Sequence, residues 1–131
     1  YLAGFKSIVA AVKQADVPRL LVVGGAGSLY VAPGVQALDT PQFPAEYKPT
    51  AEGARQALNL LQAEPTLNWC MLSPSAVIAP GERTGKFRLG QDKLLADAQG
   101  NSHISVEDYA VALIDELEKP AHARQRFTVG Y

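Results

Sequence analysis

Residues 19–30 read RLLVVGGAGSLY, a short apolar run that leads into three glycines within four positions. The run Leu20 to Val23 does not alternate with polar residues, which predicts a strand buried on both faces. A glycine-rich phosphate cradle would need a third glycine at position 30 and a helix directly after it. Position 30 is Tyr30, and prolines at 33, 41 and 44 exclude that helix. Two interpretations of these glycines stay open: a backbone that passes close to a ligand, or a tight turn with positive φ.

Helical and strand patterns alternate around this stretch. Apolar residues at 2, 5, 8, 9 and 12 predict a helix with one buried face before the strand. Gly and Pro residues between 25 and 49 predict a long loop, which Phe43 and Tyr47 would order by packing. A second helix is expected from an N-cap at Thr50 to Glu64, and a second buried strand at 67–72.

The last third of the chain continues this alternation. Residues 86–89 and 93–96 predict a hairpin, and Ser105 with Asp108 forms a capping box for a third helix. Residues 126–131 alternate and predict a closing strand. The expected fold class is α/β: a partial Rossmann-like, doubly wound parallel sheet, its C-terminal half, with a short β-hairpin insertion.

Composition narrows the class of protein further. The 131 residues suit one domain, residues 1–131, and a net charge of -1 gives no electrostatic basis for binding nucleic acid. The single cysteine, Cys70, indicates a reducing, cytoplasmic compartment, and no apolar run or leader indicates a membrane. The chain begins at Tyr1 inside a helical pattern, so we expect that the first half of the domain is missing.

The carboxyl ends of parallel strands share one edge of a sheet, where ligands bind. Ser28 is a candidate catalytic group there, and Tyr47 beside Lys48 could supply a phenol with a lowered pKa. Tyr47 could equally pack beneath the loop while Lys48 is solvated. Residues 73–81 are extended and broken by prolines, either as a ligand-lining loop or as a plain connection.

Other chemistry-bearing residues have simpler interpretations. Glu107 and Asp108 are expected to serve the cap and dipole of the third helix. His103 and His122 lack partners at ligand spacing, so no metal is expected, and Cys70 is expected to be an inert core residue. The basic residues of the predicted hairpin form a solvated face, or they contact an anionic substrate or a cofactor phosphate: Arg83, Lys86, Arg88 and Lys93.

Several motifs in series resemble one family. They are VPRLLVVGGAGSL (17–29), FPAEYKP (43–49), LSPSAVIAPGERTG (72–85), ISVEDYAVALIDELE (104–118) and RFTVGY (126–131). Together they resemble the NAD(P)-binding atypical short-chain dehydrogenase/reductases, in particular the NADH-flavin-reductase-like, NmrA-like and biliverdin-reductase-B-like proteins. The resemblance covers nearly the whole chain and corresponds to the C-terminal portion of such a domain.

The resemblance implies NADP or NAD as cofactor and assigns roles to several residues. Gly24, Gly25 and Ser28 would lie near the nicotinamide ribose, and loop 30–47 would cover the substrate. The nicotinamide amide would lie along Ser73, Pro74 and Ala76. The Tyr-x-x-x-Lys relay of the wider superfamily is not matched, because Ala51 follows Tyr47 at the lysine position. A flavin acceptor would need no tyrosine acid, since its own ring accepts charge.

Three hypotheses follow. The chain is part of an NAD(P)H-dependent reductase acting on a flavin or another small molecule, with catalytic Ser28 and Tyr47, and alone it binds the dinucleotide weakly and is inactive. Alternatively, it is a non-catalytic NmrA-like sensor of nucleotide or partner state. As a truncated fragment, it would form a homo-oligomer or associate through the exposed edge of strand 20–23. Nucleic-acid and membrane partners are not expected.

Overall fold

A computed structural model describes residues 2–131, and Tyr1 lies outside the described residues. The elements are α1 (Leu2–Gln14), β1 (Leu20–Val23), β2 (Tyr30–Ala32), β3 (Val35–Gln36), α2 (Lys48–Gln62), β4 (Trp69–Ser73), β5 (Val77–Ala79), β6 (Arg88–Gly90), β7 (His103–Ser105), α3 (Val106–Glu118) and β8 (Gln125–Gly130). The main sheet has the strand order β1-β4-β8-β6. β4 runs parallel to both β1 and β8, whereas β6 is antiparallel to β8.

Helices cover both faces of this sheet. On one face α1 and α2 enclose a core cluster of Phe5, Ala57, Leu58, Leu61, Leu67, Trp69 and Met71. On the other face α3 packs over Cys70, Leu72, Ile104, Tyr109, Ala112, Phe127 and Val129. Successive residues of β4 serve opposite faces, as the pleat of a fully buried strand requires. The predicted α/β, doubly wound class is therefore confirmed. Within residues 2–131, no helix is both long and apolar enough to cross a membrane.

The helix boundaries follow their local chemistry. The Ser105 hydroxyl accepts a hydrogen bond from the Asp108 amide at 3.0 Å, which confirms the predicted N-cap of α3. The N-cap predicted at Thr50 is wrong, because α2 already begins at Lys48. Pro49 sits in its first turn, where a helix needs no amide donor and proline's fixed φ suits helical geometry.

The hairpin predicted from residues 86–89 and 93–96 is wrong. Arg88–Gly90 pairs with β8 instead, and Leu89 lies opposite Val129. The free edge of β8 offers backbone amides and carbonyls to Arg88–Gly90, so pairing with β8 is favoured over pairing within a local hairpin. The chain does contain a short antiparallel hairpin, formed by β2 and β3.

The long loop between β1 and α2 is ordered, as predicted. It contains the β2–β3 hairpin and two 3₁₀ turns, Ala37–Asp39 and Ala45–Tyr47. Two of its own side chains, Leu29 and Leu38, are buried. The Leu38 amide donates to the Gly27 carbonyl at 2.8 Å, and the Ala37 amide donates to the Leu29 carbonyl at 2.9 Å. The loop therefore forms a packed layer over one part of the sheet.

β1 is an edge strand of the sheet that residues 2–131 form, since it pairs only with β4 there. It is less buried than predicted, and Val23 is 59% exposed. An apolar groove of about 380 Å³ runs along this edge, lined by Gly4, Phe5, Ile8, Leu20, Leu21, Val22 and Val23. Unpaired backbone groups beside exposed apolar side chains favour association.

We expect the 131-residue chain to self-associate through this edge. Light scattering across a concentration series should give a mass above that of the monomer. Ile8→Glu should shift the chain toward monomer without unfolding it, because Ile8 is 55% exposed. A wild-type chain that stays a folded monomer throughout the series would contradict this prediction.

Candidate functional site

The carboxyl ends of β1 and β4 lie side by side. The Gly24 amide, directly after β1, donates to the Leu72 carbonyl at 2.9 Å. A Cβ at Gly24 would lie 2.6 Å from Met71 Cγ and 3.2 Å from Ser73 Oγ. Glycine is therefore required at 24 because the neighbouring strand fills the space that a side chain would take.

The interpretation of these glycines as a turn with positive φ is wrong. The described glycines with positive φ are Gly34, Gly85 and Gly100, which lie in other loops. At Gly25 a Cβ would meet only Ala54 Cβ, at 3.4 Å, which is ordinary contact. Crowding by the described residues therefore does not require glycine at 25, and a close approach by a ligand stays the predicted reason for it.

The predicted cofactor-binding residues lie at different depths. Gly24 and Gly25 are half-buried, and Ala76 is exposed. Ser73 and Pro74 are buried. The Ala76 amide donates to Ser102 Oγ at 3.0 Å, so the extended segment after β4 is fixed in place. The surface available to a ligand at this edge is formed by backbone at 24–25 and around Ala76.

A buried arginine that the sequence analysis did not single out lies beneath this edge. The side chain of Arg126, from β8, is 2% exposed. Its Nη1 donates to Ser28 Oγ at 2.8 Å and to Ser73 Oγ at 3.3 Å, and its Nη2 donates to the Ser28 carbonyl at 3.1 Å. Its Nε donates to Asp92 Oδ1 at 3.0 Å. Arg126 thus joins the ends of β1 and β4 to the loop after β6.

Both predicted catalytic side chains are now placed. Ser28 is 4% exposed, and its hydroxyl is held by Arg126. Tyr47 is 59% exposed, so it does not pack beneath the loop, and within residues 2–131 its hydroxyl has no hydrogen-bond partner. Lys48 is exposed, as expected for a solvated residue. The structure does not bring Ser28 and Tyr47 into a shared hydrogen-bond network. Their catalytic roles stay predictions.

The first turn of α3 anchors the segment after β5. The Asp108 carboxylate accepts hydrogen bonds from the Thr84 amide at 2.9 Å, the Thr84 hydroxyl at 2.6 Å, the Gly85 amide at 2.9 Å and the Tyr131 hydroxyl. Glu107 accepts from the Gly81 amide at 2.9 Å. The predicted capping-box role of the Asp108 side chain is therefore wrong: the Ser105 amide donates to the Tyr131 hydroxyl at 3.4 Å, and the Asp108 carboxylate instead ties a loop to the helix.

The structure also shows the surroundings of three other candidates: Cys70, the possible metal ligands and Arg88. Burial raises the pKa of Cys70 to about 12, which agrees with an inert core thiol. Among residues 2–131, no group of three or more His, Cys, Asp or Glu side chains is placed to hold a metal ion. Arg88 donates to the carbonyls of Tyr131 and Ala96, so it is a structural residue of the β6 edge.

Comparison with known proteins adds independent information. Residues 2–120 match the sequence model of a family described as NAD(P)H-binding. The protein YwnB of Bacillus subtilis, described as uncharacterized, is 46% identical over 127 residues, which are 95% of this chain and 60% of the relative.

Two solved structures resemble the chain closely. A proposed epimerase from Bacteroides thetaiotaomicron has a TM-score of 0.94 and 48% identity, over 97% of this chain and 59% of its own. A proposed NADH-flavin reductase from Streptococcus pneumoniae has a TM-score of 0.81 and 43% identity, over 86% of this chain and 55% of its own.

This chain spans no more than 60% of the length of these three relatives. The match to the family nevertheless covers most of its residues, and the two solved structures share its fold. The chain therefore belongs to the NAD(P)H-binding family and has a Rossmann-like fold.

Proposed function

We propose that this chain forms the nicotinamide and acceptor side of an NAD(P)H-dependent reductase. One observation carries the proposal: the glycine-ended β1 and the segment after β4 meet at one carboxyl edge, with Gly24 bonded to Leu72 at 2.9 Å. Ligands of open α/β sheets bind at this edge. The similarity to a proposed NADH-flavin reductase agrees with it.

The residues at this edge fit a nicotinamide better than a pyrophosphate. The backbone at Gly25, where glycine is not required by crowding, would accommodate a flat ring, and the exposed segment at Ala76, which Ser102 holds in place, would line it. A pyrophosphate needs a helix N-terminus directly after a glycine-rich strand end. Here β1 leads into a long loop instead, and the first turn of α3 carries Glu107 and Asp108, whose charge repels phosphate.

When bound, NAD(P)H would supply the hydride. The role of this chain would be to hold the ring against the ends of β1 and β4 and to exclude water beneath it. The loop over residues 30–47 would cover the acceptor. Ser28 is buried and Tyr47 is in solvent, so an acceptor that takes up its own charge, such as a flavin, fits this arrangement best.

The proposal predicts that the 131-residue chain and a longer protein of the family differ in their affinity for NADPH. In calorimetry, the 131-residue chain should bind NADPH only weakly, because the described residues hold no pyrophosphate cradle. A longer relative such as YwnB of Bacillus subtilis, 60% of which this chain matches, should bind NADPH tightly and oxidise it when free flavin is added. Micromolar affinity for the 131-residue chain alone would contradict this expected difference, and absence of turnover with flavin, quinone and biliverdin acceptors would contradict the reductase.

One observation favours a second candidate, a non-catalytic nucleotide sensor. No lysine lies four residues after Tyr47, and Ser28 and Tyr47 share no hydrogen-bond network within residues 2–131, so these residues do not assemble a proton relay. The same assay separates the two functions. Tight NADPH binding by the longer relative with no turnover would support the sensor.

A further inference from the structure

The guanidinium charge of Arg126 is almost fully buried, and its carboxylate partner neutralises it only in part. Its side chain is 2% exposed, whereas its ion-pair partner Asp92 is 60% exposed. An exposed carboxylate is screened by water and neutralises a buried cation incompletely. The other partners of Arg126 within residues 2–131 are neutral oxygens of Ser28 and Ser73. Burial lowers the pKa of Arg126 and Asp92 opposes that shift, but a guanidinium keeps its proton in proteins.

This cation bonds side chains of both segments that form the proposed ring site. Ser28 follows the glycines after β1, and Ser73 is the last residue of β4. Both hydroxyl oxygens accept from Nη1, which turns their protons away from the guanidinium. The two hydroxyl dipoles therefore extend the positive potential of Arg126 rather than cancel it. A ligand at the ends of β1 and β4 is exposed to this potential.

The nicotinamide ring changes its charge in the reaction. The reduced ring is neutral, and the oxidised ring carries one positive charge. A fixed positive potential leaves the neutral ring unaffected and repels the oxidised ring. Since the ribose and phosphates are the same in both forms, this difference acts on the ring alone.

We infer that Arg126 makes this site selective for the reduced nicotinamide over the oxidised one. The inference rests on the proposed function and gives it a direction: the site takes up the hydride donor and releases the oxidised product. For charges about 10 Å apart at an effective dielectric constant of about 20, with partial screening by Asp92, the preference should be roughly 3- to 10-fold.

The test uses nicotinamide mononucleotide in its reduced and oxidised forms, which needs no pyrophosphate cradle. Ligand-observed NMR on the 131-residue chain gives both dissociation constants, and their ratio is the readout. Damage to the fold alone weakens binding of both forms and leaves the ratio unchanged. A loss of charge changes the ratio.

Four variants separate the possibilities. Arg126→Gln, which keeps an amide donor but no charge, should bring the ratio close to 1, and Arg126→Lys should retain the preference. Asp92→Asn removes the counter-charge at an exposed position and should raise the ratio about 2-fold. Arg124→Gln is the matched control: its guanidinium bonds the carbonyls of Leu67 and Glu64, before β4, and the ratio should not change.

The outcomes are distinct. Equal binding of both forms by the wild type, or a ratio that stays the same in Arg126→Gln and Asp92→Asn, overturns the inference while the proposed site stands. Absence of binding by either form overturns the proposed site itself. If Arg126→Gln does not fold, the inference is tested by the two other variants: the ratio of the dissociation constants should rise in Asp92→Asn, and the preference for the reduced form should remain in Arg126→Lys.

Discussion

Arg126→Met is expected to lower the free energy of unfolding by about 2–4 kcal/mol. Methionine fills much of the volume of the arginine stem but donates no hydrogen bond. The Ser28 and Ser73 hydroxyls would then lie buried without the donor that they now share, and the Ser28 carbonyl would keep only its hydrogen bond from Gln36 Nε2 at 3.1 Å. A buried acceptor without a partner costs its full desolvation penalty, which applies here to the two hydroxyl oxygens.

Urea denaturation at neutral pH measures this loss, with Asp92→Asn as the control. Asp92 is 60% exposed, so its ion pair should contribute less than about 1 kcal/mol. A loss in Asp92→Asn as large as that in Arg126→Met would show that the ion pair, and not the buried hydrogen bonds, holds the ends of β1 and β4 together.

Asp108→Ala is expected to cost about 3–5 kcal/mol of stability. The Asp108 carboxylate is fully buried and accepts four hydrogen bonds, two from backbone amides of Thr84 and Gly85 and two from the hydroxyls of Thr84 and Tyr131. Alanine would leave these donors without an acceptor and release the segment after β5. Glu107→Ala, the control, removes one bond to Gly81 that is open to solvent and should cost less than about 1 kcal/mol.

The same carboxylate makes the stability depend on pH. Burial by itself would raise the pKa of Asp108, but the hydrogen bonds from Thr84, Tyr131 and Gly85 outweigh it and hold the pKa below the ordinary 3.8. Its contribution is therefore complete above pH 3.8 and is lost as the pH falls through the lower, folded-state pKa. Acid denaturation followed by circular dichroism should show this loss in the wild type. Asp108→Asn should flatten it, and an unchanged acid profile would contradict the assignment.

Much of the fold was predictable because its signals are local. The helical period of α1 and the Ser105 cap of α3 depend on residues close in sequence, and β4 shows as a run of apolar residues. The hairpin prediction failed because pairing with β8 is a long-range event. β6 and β8 are far apart in sequence, and turn residues carry no information about that edge.

The candidate site was predictable only in outline. The glycines after β1 and the segment after β4 identify a carboxyl edge, which the structure confirms as one place. Arg126 was missed because an arginine in an alternating strand resembles a solvent-facing residue. Its burial depends on the packed loop between β1 and α2, which covers that part of β8 and could not be positioned from sequence.

Amide chemical shifts of the ¹⁵N-labelled chain, titrated with reduced nicotinamide mononucleotide, test the central claim most directly. The account predicts saturable shifts confined to the amides of residues 24–28 and 75–77, the two segments that meet at the carboxyl edge. Saturable shifts along the groove between α1 and β1 instead, or no saturable shifts at either segment, would contradict the assignment of a nicotinamide site to this edge.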